Sequence, residues 1–161
     1  MAGSSFITTT GTTTQPTAGQ APLLEFSRAQ RFLNKVLAAT VTRGDVCGFD
    51  ANGDMQQDGG TAVDNFAVCL ETKGANIPKS TFMIGGGACL VNVANAQTLK
   101  YNKPAVVVAG GKVQARVAEA ANKVCGMGWG TIDQQDGKVV QTDVVGPALG
   151  LLYIKPWTVF T

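Results

Sequence analysis

Four cysteines, one short acidic turn and two glycine runs are the residues whose types and spacing invite a chemical reading. All of them sit in a chain without histidine. That composition removes the commonest general base and the commonest metal ligand together. Cys47, Cys69, Cys89 and Cys125 form no CxxC pair, so neither a zinc site nor a thioredoxin-like motif is indicated. Cys47, Cys69 and Cys125 lie in apolar, strand-like runs, where a thiol acts as a small core residue. Their even number also permits disulfides. The chain does not open on a basic start followed by an apolar run, so synthesis in a reducing cytosol is expected. Asp50-Ala51-Asn52-Gly53-Asp54 begins like a calcium loop. Met55 and Thr61 then stand where such a loop needs Gly and Glu, so the segment reads as a hairpin turn flanked by solvated acids. Arg43-Gly44-Asp45 spells an adhesion tripeptide, but three residues recur by chance, and the segment reads as a strand entry in which Gly44 relieves the turn and Val46 starts the strand. Gly85-Gly86-Gly87 and Gly126-Met127-Gly128-Trp129-Gly130 match neither a dinucleotide fingerprint nor a P-loop. Alternating glycines would instead bare one strand face to a close neighbour, for example Trp157 or another subunit. A Ser, Thr or Cys nucleophile would need Lys or a carboxylate as its base. The lysines (35, 73, 79, 100, 103, 112, 123, 138 and 155) are scattered near turns, so no enzyme, cofactor or metal is expected.

These residues must be carried by β structure. Two stretches read as one unit written twice, about 58 residues apart. The first runs from Gly44 through Asn52-Gly53 to Gln56, then from Asp64 to Leu70. The second runs from Pro104 through Gly110-Gly111 to Gln114, then from Ala121 to Met127. Each is an apolar strand, a Gly turn, a short strand and, after a gap, a strand carrying Cys. Asn52-Gly53, Gly110-Gly111 and Asp136-Gly137 are hairpin signals. Further strands are expected at 81–84, 88–93, 105–108, 130–133, 138–141 and 149–154, with Pro156 ending the last. Val117–Ala121 has the alanine-rich look of a helical turn. Short strands at regular spacing predict an all-β barrel or sandwich of two pseudo-symmetric halves, divided near Asn95–Asn102. The predicted organisation is an extended N-terminal arm over residues 1–40 and a β domain over 41–161.

With thirteen basic and eleven acidic residues in 161, the net charge is +2, and no basic block marks a nucleic-acid footprint. No run has the length of a membrane span. Residues 1–20 are Thr-rich and uncharged, with Phe6 and Ile7 as their bulky apolar residues. Such a segment cannot bury enough surface to order itself alone. It is either disordered or extended on another surface, as threonine favours. Between Pro22 and Leu37 the spacing of Leu33, Val36 and Leu37 fits a helix, while the earlier apolar positions hold no stripe. A short helix, or an extended arm ending in a strand, both fit; irregular or extended structure is favoured up to about Asn34.

Residues 43–155, about 70% of the chain, resemble the small capsid decoration proteins of tailed bacteriophages. These head-stabilising, or cement, proteins have a β-tulip or related small β-barrel core. The likeness rests on Gly44-Asp45-Val46, Phe66-Ala67-Val68, the glycine-rich centre, Gly111-Lys112-Val113, Val124-Cys125-Gly126-Met127 and Leu151-Leu152-Tyr153-Ile154. The Thr-rich arm, Trp129 and the four cysteines depart from the family pattern. The resemblance implies attachment to the major capsid protein lattice on the outer surface of a virion, commonly as a homotrimer. It implies an arm reaching across neighbouring capsid subunits, with Phe6, Ile7, Thr8, Thr9, Thr10, Leu23, Leu24 and Phe26 as its contacts. It implies neither nucleic acid nor membrane as partner. Two alternatives stand beside it. One is a self-assembling tail or head-fibre protein. The other is a carbohydrate- or host-surface-binding module using Trp129, Tyr153 and Trp157.

Overall fold

The computed structural model describes residues 31–35, 41–49, 55–57, 66–71 and 79–156. The chain folds as the all-β protein its strand signals predict. The first group of strands is β1 (Arg31–Lys35), β2 (Val46–Phe49), β3 (Met55–Gln57), β4 (Ala67–Cys69) and β5 (Lys79–Ile84). They form one antiparallel sheet in the order β1-β5-β4-β2-β3. The second group begins with β6 (Ala88–Asn92), β7 (Thr98–Leu99), β8 (Pro104–Val108) and β9 (Lys112–Ala115). It continues with β10 (Val124–Ile132), β11 (Val139–Val140), β12 (Val144–Val145) and β13 (Leu149–Ile154). Its main sheet runs β6-β13-β10-β8-β9; β11 pairs with β10, and β12 pairs with β7.

The two orders are the same order. Replacing β1, β2, β3, β4 and β5 by β6, β8, β9, β10 and β13 turns the first sheet into the second. The duplication therefore exceeds the two stretches legible in sequence. It includes both flanking strands, and β7, β11 and β12 have no counterpart among the described residues of the first copy. The halves divide at Gly85-Gly86-Gly87, not near Asn95–Asn102, because β6 belongs to the second sheet as the counterpart of β1. Residues 31–35, inside the segment predicted as arm, pair along β5 from Arg31↔Met83 to Lys35↔Lys79.

Strand alternation sorts the side chains. Val46, Phe66, Val68 and Met83 of the first sheet join Cys89, Val91, Leu152 and Ile154 of the second in one shared core. On the opposite face of the first sheet, Cys47, Met55, Ala67, Cys69 and Phe82 form a second cluster with Val41, each fully buried. Burial on both faces explains why these strands read as unbroken apolar runs. The opposite face of the second sheet carries a smaller cluster around Leu90, Ile132 and Leu151.

The second sheet curls until its edges meet. Val93 bridges Val113 beside β9, and Ala94 N–H donates to Val113 O at 2.9 Å. One bridge is not a ladder, so among the described residues the sheet does not close into a barrel. The β8–β9 hairpin turns at Gly110-Gly111 as predicted, with Val108 opposite Lys112. Phe49 opposite Met55 makes β2 and β3 a hairpin as well. The Val117–Ala121 stretch is not helical. A single 3-10 turn follows at Ala121–Lys123, and Glu119 accepts the Val117 and Ala118 N–H groups at 2.8 and 3.1 Å.

Candidate interaction surface

Of the residues that invited a chemical reading, Asp45 has the densest set of contacts, and they are structural. It is 1% exposed. Its Oδ2 accepts from Thr42 N at 2.9 Å, Thr42 Oγ1 at 2.6 Å and Gln57 Nε2 at 2.8 Å. Its Oδ1 accepts from Asn92 Nδ2 at 3.3 Å. Asn92 belongs to β6, so one carboxylate ties the start of β2, the end of β3 and the second sheet together. Gly111, with φ of +66°, closes over this joint; a Cβ there would stand 2.8 Å from Val46 O and 2.9 Å from Asp45 Cβ. An adhesion motif must offer its aspartate to a partner, and Asp45 is enclosed. Arg43-Gly44-Asp45 is the turn into β2.

The four cysteines are free thiols and all buried. Cys69 Sγ donates to Glu71 O at 2.9 Å and lies 3.5 Å from Ser80 Oγ, which itself donates to Glu71 O at 2.6 Å. Burial pushes the Cys69 thiol above its ordinary range. A buried, protonated thiol is the opposite of an activated nucleophile. No group of three or more His, Cys, Asp or Glu able to hold a metal occurs among the described residues. The acidic turn 50–54 lies outside those residues, as do Trp157 and the arm residues Phe6, Ile7, Thr8, Thr9, Thr10, Leu23, Leu24 and Phe26. No helix among the described residues is long and apolar enough to cross a membrane.

The glycine runs are packing devices. A Cβ on Gly126, Gly128 or Gly130 would approach Tyr153 O, Lys100 O or Val140 O within 2.0–2.3 Å. At Gly85 the neighbour is Lys155 O, at 2.1 Å. Three different backbones thus press on β10, as its bare face allows.

A cleft of about 690 Å³ opens between the end of β6, the start of β9, the β10–β11 turn and β12. Val93, Ile132, Val144 and Leu149 give it aliphatic walls, and Lys112 and Asp143 stand in its lining. Asp143 Oδ1 accepts the Tyr101 N–H at 2.8 Å, and Thr131 Oγ1 donates to Leu149 O at 3.1 Å. Both polar groups hold the local backbone, and the lining pairs no nucleophile with a base.

The surface that remains is the outer face of the second sheet. Gly126 and Gly128 stand opposite the inner residues Ile154 and Leu152, so Met127 between them falls on the outer side; at the register shift between Gly128 and Gly130, Trp129 packs on the outer cluster of Leu90, Ile132 and Leu151. Met127 stands opposite Tyr153 of β13 and Pro104 of β8. The three make a row across the central strands, with Met127 43% and Tyr153 36% exposed. Half-buried Trp129 meets Tyr153 edge-on, ring centroids 5.8 Å apart and planes at 81°. This T-shaped packing joins the two rings to each other rather than offering parallel faces to a sugar. The corresponding positions of the first sheet are the pairs Ala67↔Ile84 and Cys69↔Phe82, in its closed outer cluster. The sequence names the glycines, and Trp129 and Tyr153 as stacking faces, but not the row that joins Tyr153 to Met127 and Pro104, which depends on strand register. No known family model, characterised protein or solved structure matches the chain.

Proposed function

We propose that the chain is a virion structural protein, a decoration or cement protein that binds the outer surface of a capsid lattice and stabilises it without chemistry. The observation that carries this reading is the duplicated two-sheet body. The outer face of the first sheet is buried at its centre and exposed at Phe49, while the equivalent face of the other sheet leaves the Tyr153–Met127–Pro104 row exposed. A rigid body with one free apolar face is a platform for protein contact. In this reading the arm, through Phe6, Ile7, Thr8, Thr9, Thr10, Leu23, Leu24 and Phe26, adds extended contacts to neighbouring capsid subunits. A homotrimer makes such attachment multivalent, so modest contacts suffice. Binding only to the assembled shell stabilises that shell by mass action.

The test mixes the protein with heads of the encoding virus assembled without it, then pellets the particles. Full-length protein is expected in the pellet with heads and in the supernatant without them. A variant lacking residues 1–20 should keep its urea midpoint and lose most of its binding. Equal co-sedimentation of the truncated protein would remove the arm from the proposal. Pelleting without heads would support the self-assembling alternative.

A further inference from the structure

The two most exposed large apolar side chains among the described residues are Val117, 86% exposed, and Val145, 64% exposed. Val117 tips the loop between β9 and the 3-10 turn, with Arg116, Ala118 and Ala120 exposed around it. The loop is held in one shape from within. Glu119 accepts the Val117 and Ala118 N–H groups, Arg116 Nε donates to Glu119 O at 2.6 Å, and the Arg116 N–H donates to Pro104 O at 2.8 Å. Val145 instead lines the cleft described above. Lys112 and Asp143 of that lining are exposed, and neither they nor Arg116 form an ion pair among the described residues. Loop and cleft stand at opposite ends of one hairpin. Ala115, opposite Ala105, leads into the loop, whereas Lys112, opposite Val108, begins β9 at the cleft. About 10 Å of strand separates them, so the loop does not enter the cleft of its own chain.

We propose that the loop 116–120 of one copy seats in this cleft of a second copy. The two surfaces match in kind. Val117 would bury itself against Val145 and the aliphatic walls, giving the contact a desolvated centre. Arg116 would face Asp143, and the Glu119 carboxylate would face Lys112, so opposite charges fix the orientation at the rim. A loop already held by its own hydrogen bonds loses little freedom when it docks. Knob and cleft are different patches of one chain, so the contact is head-to-tail and each copy both gives a loop and receives one. The inference takes from the capsid reading only that copies of the chain associate. The protein alone tests it, so heads that fail to bind would sink that reading and leave this contact standing.

The test is sedimentation velocity of the full-length protein over rising concentration. The wild type should pass from monomer to larger species. Val117→Asp and Val145→Asp should each associate about tenfold or more weakly, since each puts a carboxylate into the apolar contact. Mixed together, the two variants should form a one-to-one pair, because one keeps a working cleft and the other a working loop. Arg116→Glu should weaken association, and Arg116→Glu combined with Asp143→Arg should restore it. Met127→Glu, on the outer row, should associate like the wild type. Urea midpoints of all variants should stay near that of the wild type, since the substituted side chains are exposed. A wild type that stays monomeric at every concentration overturns the proposal. So does association that survives both valine substitutions, or two monomeric variants that do not pair when mixed. A loss on Met127→Glu as large as that on Val117→Asp would move the contact to the row.

Discussion

The first and second sheets share a strand order and differ in what lies on their outer faces. In the first, Phe82, Cys69 and Met55 are fully buried, and Phe49 at the end of β2 is the exposed large side chain of that face, 38% exposed. In the second, the equivalent strands carry Met127 and Tyr153, each more than one-third exposed. Topology was duplicated, but burial was not. The first outer face is buried around Phe82, and the second is exposed along the Tyr153–Met127–Pro104 row. The glycines of β10 belong to this division. Gly126 and Gly128 let neighbouring backbones close on the inner side of the strand, while Met127 stands on the outer side.

The largest test of that contrast is a matched pair of truncations. Phe82→Ala opens a cavity in a closed cluster and should cost about 3–5 kcal/mol. Tyr153→Ala, at the corresponding outer face of the second sheet, gives up the edge contact with Trp129 and some partly exposed surface. It should cost about 1 kcal/mol. Urea unfolding of both variants measures the difference. Equal costs would show that the second face is as much core as the first.

Asp45 tests whether the two copies are one cooperative body. Asp45→Ala leaves Thr42 N–H, Thr42 Oγ1 and Gln57 Nε2 without this acceptor and Asn92 Nδ2 with Arg43 O alone, in a place where water enters poorly. A loss of about 2–3 kcal/mol is expected, in a single transition. Two transitions by tryptophan fluorescence and far-ultraviolet circular dichroism would mean that the halves unfold separately and that Asp45 is their joint. Asp45→Asn, which keeps an acceptor for one donor, should fall between wild type and Ala.

Much of this organisation was legible because β structure writes itself in alternation and turn residues. Gly110-Gly111 gave a hairpin at the expected place, and Leu149–Ile154 is a strand over the predicted residues. The repeat was visible where hairpins mark it. It was invisible at β1 and β6, because an edge strand carries no turn of its own and its partner is distant in sequence: Lys35 pairs with Lys79, Ala88 with Tyr153. The dividing point was misplaced for that reason. Arg43-Gly44-Asp45 reads in sequence as the entry to a strand, which says nothing of the burial of Asp45. Its burial depends on Gln57 and Asn92, brought in from another strand and another sheet, and no local pattern encodes that meeting. The exposed row was half legible. Parity along β10 separates Met127 from Gly126 and Gly128, but only the register places Tyr153 and Pro104 beside Met127, and a register shift between Gly128 and Gly130 breaks the parity at Trp129.

The smallest effect is a pH dependence, and it reports on the closed face alone. Cys69 lies in the outer cluster of the first sheet, and burial raises its thiol pKa, with lesser contributions from the charges of Asp45 and Glu71. In the unfolded chain the thiol ionises near its ordinary value of 9.0. Below that pH both states hold the proton and the group adds no pH dependence. Above it the unfolded chain releases the proton while the folded chain keeps it, so fewer protons are bound in the unfolded state and stability falls as pH rises. The fall ends once the folded thiol also ionises. Urea midpoints taken from pH 7 upwards should therefore decline more steeply beyond pH 9 for the wild type than for Cys69→Ala. The comparison uses slopes, so the fixed cost of removing the side chain cancels. Parallel slopes would mean that water reaches Cys69 and that the outer face of the first sheet is open like that of the second.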